Sequence, residues 1–261
     1  MRFPTAASAV GSVGQVHAAF ARVAWNHPQW WLVVPSGLAW AAILAEASGL
    51  PIEVCRSGDA VSRFGLFDPQ VLLVGSWLPE MRAWSWMLLA TMLPLAAWPV
   101  RHAALRSLWN RRHRAGLGVV LGYLTAWMIT GAGLSVLVLG FGLKSSAANT
   151  SFAAAVALLL AALWQWSPIK REALRACHRT AAMAVHGWRA DLDCLRYGWS
   201  QGCSCVVSCW ALMFAMMLAS HQLVVMLTIV LICVIERARH RPLHRQTSMV
   251  LVVLAATVVA L

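Results

Sequence analysis

The sequence predicts an all-α protein: a polytopic transmembrane helix bundle of six or seven spans whose N-terminus lies in the cytoplasm. Three observations carry that expectation. Apolar residues make up 60% of the 261 positions and charged residues 11%, against roughly 45–50% and about 25% in an ordinary globular chain. Apolar windows long enough to cross a bilayer recur along the chain. Finally, the basic residues fall in short clusters on alternate connections.

A spanning helix needs about 20 mainly apolar residues. Such windows lie at 30–48, 83–100, 117–139, 147–166, 203–220 and 222–235, and a shorter apolar stretch at 249–261 is the candidate seventh span. Of the Lys and Arg residues outside them, 17 fall in the segments 1–29, 101–115, 168–197 and 237–247, and four (Arg56, Arg63, Arg82 and Lys144) in the opposite connections. Basic loops face the cytoplasm, so residues 1–29 form an N-terminal cytoplasmic segment. The outer connection 49–82 is the longest, and its apolar run 71–75 is expected to be a strand-like or interfacial piece. No hydrophobic leader precedes the first span, which is expected to direct insertion itself.

Nothing repeats at a fixed period and no domain-sized soluble segment lies between windows, so residues 1–261 are expected to form a single integral membrane domain. The lipid bilayer is its first partner, and the inner membrane of a bacterial cell its expected location. The net charge of +12 does not imply a nucleic-acid partner, because the arginines follow the loops rather than one face of a soluble module. Trp30, Trp31, Trp77, Trp84, Trp86, Trp164, Trp166 and Trp188 flank apolar runs, where an indole suits the headgroup level. No nucleophile elbow, zincin helix, phosphate loop or dinucleotide fingerprint is present, so no enzymatic activity is expected.

Sulfur is the chemistry that remains. Cys177, Cys194, Cys203, Cys205, Cys209 and Cys233 fall in or beside the basic connections, and only Cys55 falls on the other side. Thiols facing the cytosol stay reduced and are available to metals. Four-residue steps place Cys205, Cys209 and Met213 on one helical face. Cys177, with His178 beside it, follows the fourth window and can meet that face at the same depth. Thiolates and thioethers are soft donors suited to Cu(I), although cysteine and methionine also serve as ordinary packing residues in helix bundles. Met87 and Met92 in the second window, with Met216, Met217 and Met226, would lead from the outer side toward the inner thiols. Glu236 is expected to pair with Arg237 or a nearby loop arginine. Gly131, Gly133, Gly140 and Gly142 are expected to serve close packing or a bend.

These pieces resemble a family of metal-binding integral membrane proteins with a Trp/Met-rich second span and a Cys-Cys-Trp-x-Leu-Met element. The matching stretches are Trp84-Ser-Trp86-Met87-Leu-Leu-Ala90-Thr-Met92-Leu-Pro94, Gly122-Tyr123-Leu-Thr-Ala-Trp127, Gln165-Trp-Ser-Pro168-Ile-Lys170 running to Cys177, and Gly202 to Met213. Ala173 and Ser208 stand where the family's pattern has cysteines. The resemblance implies a metal role. The expected cargo is a transition metal, copper(I), held by Cys177, Cys205, Cys209 and Met213 between the second, fourth and fifth spans, with Met87 and Met92 on its route. A metallochaperone or a membrane metalloprotein is the implied protein partner. Two other readings are a structural or assembly subunit of a membrane complex and a small-solute transporter. Copper content indifferent to loss of Cys205 and Cys209 separates them from metal handling.

Overall fold

A computed structural model describes residues 30–48, 69–144, 146–184, 186–219, 222–239 and 244–260. The N-terminal segment 1–29, the connection 49–68 with Cys55, and His221 lie outside the described residues. The described chain is helical, without strands. It consists of α1 (Val33–Ala47), α2 (Pro69–Thr91), α3 (Ala97–Arg106), α4 (Arg112–Gly140), α5 (Ala147–Trp164), α6 (Pro168–Ala176), α7 (Gly187–Leu218), α8 (Leu223–Arg239) and α9 (His244–Ala260). Single 3-10 turns precede α1, α3 and α4.

Three of these helical stretches, Trp30–Ala47, Trp109–Gly140 and Gly187–Leu218, are long and apolar enough to cross a membrane. The count rises to five if each of two bent pairs is one span. One pair is α2 with α3, bent by 47°, and the other is α5 with α6, bent by 76°. The expected window at 83–100 is therefore not one straight helix, whereas α5 fills most of 147–166 and the chain bends only at its end. Proline explains both breaks, since it lacks the N–H of the helical ladder and its ring clashes one turn back. Pro94 ends α2, and Pro168 opens α6 directly after Ser167, whose side chain accepts the Ile169 N–H at 3.2 Å. The run 71–75 is not strand-like, because it lies inside α2. The basic stretch 168–197 is not an open loop either, because α6 and the first turns of α7 occupy most of it.

The break at Pro94 also anchors α1. The carbonyl of Ala90 would normally accept from the residue four positions on, which here is Pro94 and carries no N–H. Two side chains of α1 take its place: Ser36 Oγ donates to the Ala90 carbonyl at 3.2 Å and Trp40 Nε1 at 2.9 Å.

The centre of the fold is the pairing of α4 with α7, and small residues make it close. A Cβ on Gly122 would lie 2.2 Å from the Leu195 carbonyl oxygen, and one on Gly198 would lie 2.1 Å from that of Val119. A Cβ on Gly202 would come within 2.9 Å of the Tyr123 backbone oxygen. The two helices thus touch backbone to backbone through glycines, the small-residue contact of apolar bundles. Of the glycines expected to pack closely, Gly131 does so against the Trp84 indole, Gly133 and Gly140 face open space among the described residues, and Gly142 takes a positive φ of 59° in the turn after α4. Trp84 is accordingly no interfacial anchor. Its side chain is 1% exposed and donates to the Trp127 carbonyl at 3.2 Å, whereas Trp30, Trp166 and Trp188 are exposed.

Around this pair, α5 is held to α7 by Trp164, which donates to the Val207 carbonyl at 3.0 Å and stands edge-on to Trp210. The last helix, α9, joins α5 through Ser248, whose hydroxyl donates to the Ala162 carbonyl at 3.0 Å. At the end carrying the basic segments, Arg111 and Arg114 at the start of α4 clasp Asp191 of α7 at 2.5 and 2.7 Å. Toward the other end, Lys144 pairs with Glu80 at 2.7 Å.

Candidate metal centre

Cys205 lies two turns past Gly198 and three residues past Gly202 on α7, so the close approach of α4 brings Tyr123 over it. The Tyr123 hydroxyl donates to the Cys205 sulfur at 3.1 Å, and both side chains are buried. Cys177, at the C-terminal cap of α6, lies next to the same sulfur, as does Cys209 one turn along α7. Arg237 of α8 donates through Nη1 at 3.5 Å. Two donors, from α4 and α8, and two neighbouring thiols therefore gather about one buried sulfur.

The chain of thiols continues. Cys233 of α8 donates to Cys209 with 3.8 Å between the sulfurs. Ser208, between Cys205 and Cys209 in register, donates to the Cys205 carbonyl at 2.9 Å and sits 3.3 Å from the Cys209 sulfur. It also reaches the Cys177 thiol. Two thiolates bound to one metal with bonds of about 2.3 Å lie about 3.8 Å apart in a tetrahedral shell and about 4 Å apart in a trigonal one. The Cys209–Cys233 pair already has that spacing. Among the described residues, no three His, Cys, Asp or Glu side chains surround one metal position; the sulfurs form a string, Cys177–Cys205–Cys209–Cys233, rather than a closed shell.

The sequence-derived residues divide accordingly. Cys177, Cys205 and Cys209 come together, and Met213 follows Cys209 by one turn on the same buried face. Met87 on α2 and Met92 in the turn after it are fully buried within the same core, but among the described residues the hydrogen bonds to the Cys205 sulfur come from α4 and α8 and none of them from α2. The thiol group thus lies on the expected fifth span, α7, and beside the end of α6 that continues the fourth, with α4 and α8 in place of the expected second. Cys233, Tyr123 and Arg237 were absent from the sequence-derived set. Cys233 and Arg237 are four residues apart, which puts them on one face of α8, and Tyr123 follows a glycine of the α4–α7 contact.

A buried ion pair adjoins the group. Glu236 pairs with Lys170 of α6 at 2.7 Å, both side chains being essentially inaccessible, and Lys170 also donates to Gln165 Oε1 at 2.5 Å. The expected arginine partner is replaced by a lysine, since Arg237 points to Cys205 while Glu236, one residue back, turns toward α6. His244 of α9 hydrogen-bonds the Gln165 carbonyl and closes the network.

Neither a curated protein nor a solved structure matches the chain. The model of the PpoB2 family, described as copper chaperones, matches residues 81–260 and so takes in every member of the thiol group and more than half of the sequence. The chain belongs to this copper chaperone family.

Proposed function

We propose that the protein is a non-catalytic integral membrane copper chaperone, which carries Cu(I) on the thiols of Cys177, Cys205 and Cys209 and delivers it to a membrane metalloprotein. The observation that carries this reading is the convergence of Cys177, Cys209, Tyr123 and Arg237 on the buried Cys205 sulfur. Soft, low-coordinate Cu(I) is suited by two or three thiolates, whereas hard cations are not. Two thiolates around Cu(I) leave one net negative charge. Arg237, which has no carboxylate partner among the described residues, supplies the offsetting cation inside a medium where an unpaired charge is costly.

A string of sulfurs suits a carrier better than a closed cage does. Each neighbouring pair offers a site, so the metal can step from Cys177–Cys205 through Cys205–Cys209 to Cys209–Cys233 by exchanging one ligand at a time. Met213 extends the line as a weaker thioether donor, and Met87 on α2 and Met92 just beyond it continue it. In this reading the bundle crosses the bilayer six or seven times with its N-terminus in the cytoplasm. At 17 residues each, α8 and α9 stand at the lower limit of the roughly 17–25 residues that span.

Elemental analysis of the purified protein beside its Cys205→Ser/Cys209→Ser variant tests the assignment. Stoichiometric copper in the parent and its loss in the variant is the expected result. Equal metal content in both refutes it. Retention of the chain in the membrane pellet after alkaline carbonate washing tests the insertion.

A further inference from the structure

Beside the thiols, at the end of the bundle carrying the basic segments, four rings meet. Trp98 of α3 is stacked on His102, one turn along the same helix, with centroids 5.8 Å apart and planes 13° apart. His178, the residue after Cys177, meets the same indole edge-on at 5.7 Å. Tyr197 of α7 packs against His102 at 5.7 Å and donates to the Arg179 carbonyl at 3.4 Å. Gln201 donates to that carbonyl as well, at 3.0 Å, so the backbone just beyond Cys177–His178 is held against α7.

Two features of this cluster are not explained by packing. His102 Nε2 is buried with no hydrogen-bond partner among the described residues, although a buried polar nitrogen normally finds one. Trp98 is 40% exposed, so the cluster opens outward while Cys177 behind it is closed.

We infer that His102 and His178, both packed on the Trp98 indole, form a receiving site for monovalent copper that passes the ion to Cys177. The inference rests on the copper reading of the thiol group. Imidazole nitrogen is a neutral copper ligand of intermediate softness, weaker for Cu(I) than thiolate, so an ion held there moves inward downhill. The indole adds the attraction of an aromatic face for a cation. His178 and Cys177 are consecutive, and transfer between them needs no movement of the backbone beyond the turn that carries both. The step is ligand exchange only: a nitrogen–copper bond is replaced by a sulfur–copper bond, and the thiol proton leaves to solvent through the open side.

The test uses the full chain in detergent, with Cu(I) supplied as its bicinchoninate complex and uptake followed by loss of the complex's colour. The His102→Ala/His178→Ala variant is expected to reach the parent's copper stoichiometry, which also shows that it is folded, but to load about tenfold more slowly or worse. In the Cys205→Ser/Cys209→Ser background, X-ray absorption is expected to show residual copper on nitrogen, lost when the two histidines are also replaced. Loading of the histidine variant at the parent's rate overturns the inference. A parent that takes up no thiol-dependent copper overturns the chaperone reading instead, and nitrogen-bound copper dependent on His102 and His178 would then stand without it.

Discussion

The Tyr123 hydroxyl donates to the Cys205 sulfur at 3.1 Å because Gly202 and Gly198 let the backbones of α4 and α7 touch beside it. A hydrogen bond to a thiolate ligand fixes its orientation and moderates its donor strength. Tyr123→Phe keeps the ring and removes only the donor. The expected result is a folded protein that holds Cu(I) about 10–100-fold less tightly, measured by competition with a chromophoric chelator. Unchanged affinity would show that the hydroxyl serves packing alone.

The glycines themselves make a separate prediction. A methyl on Gly198 would meet the Val119 carbonyl oxygen at 2.1 Å and one on Gly122 the Leu195 carbonyl oxygen at 2.2 Å. Both obstacles are backbone, so relief requires the helices to part. Gly198→Ala is expected to destabilise the bundle by about 1–3 kcal/mol or more, whereas Gly133→Ala, in open space, is expected to leave stability unchanged or slightly raised. Thermal unfolding of the two variants in the same detergent distinguishes them, and equal melting temperatures would contradict the close approach.

Much of this organisation is legible in the sequence where one physical rule acts alone. Apolar length located the helical cores of α1, α4, α5 and α7, and four-residue spacing put Cys205, Cys209 and Met213 on one buried face. Legibility fails where a second effect intervenes. Pro94 divides a window that hydropathy reads as continuous, and Pro168 starts a further helix in what reads as a basic loop. Residues 187–202 look like loop because they are polar, yet they prolong α7 along a buried face of Ala190, Cys194, Tyr197, Gly198 and Gly202. That face packs on α4 through its glycines and on the turn after α6 through Tyr197. Trp84 looks like a headgroup anchor by position, and only the absence of a side chain at Gly131 makes room to bury it. Cys233 and Arg237 carry no local signal toward Cys205, since their approach depends on how α8 folds back on α7.

Ser208 stands where the family's pattern has a cysteine, and its hydroxyl already lies 3.3 Å from the Cys209 sulfur and reaches the Cys177 thiol. A thiolate there would join two neighbours without any change of backbone. Ser208→Cys is expected to tighten Cu(I) binding by about tenfold or more and to slow release to a competing chelator, because thiolate is the stronger soft donor. Sulfur is larger than oxygen, so a small loss of thermal stability without copper is expected, reversed when copper is bound. Affinity equal to the parent's would place the metal elsewhere on the string.

The pair formed by Lys170 and Glu236 predicts an asymmetry that copper binding does not enter. Both side chains are withdrawn from solvent, and the lysine joins α6, which carries Cys177 at its end, to α8, which carries Cys233 and Arg237. Breaking a buried pair from one side strands the other charge, at a cost of about 3–5 kcal/mol, whereas replacing both charges with apolar groups of similar volume is often neutral. Lys170→Met is therefore expected to lower the melting temperature sharply, with Glu236→Met doing the same. The Lys170→Met/Glu236→Met double variant is expected to recover most of the loss. If the two single losses add in the double variant, the side chains contribute independently, and the link between the Cys177 and Cys233 ends of the thiol string must be carried by other contacts.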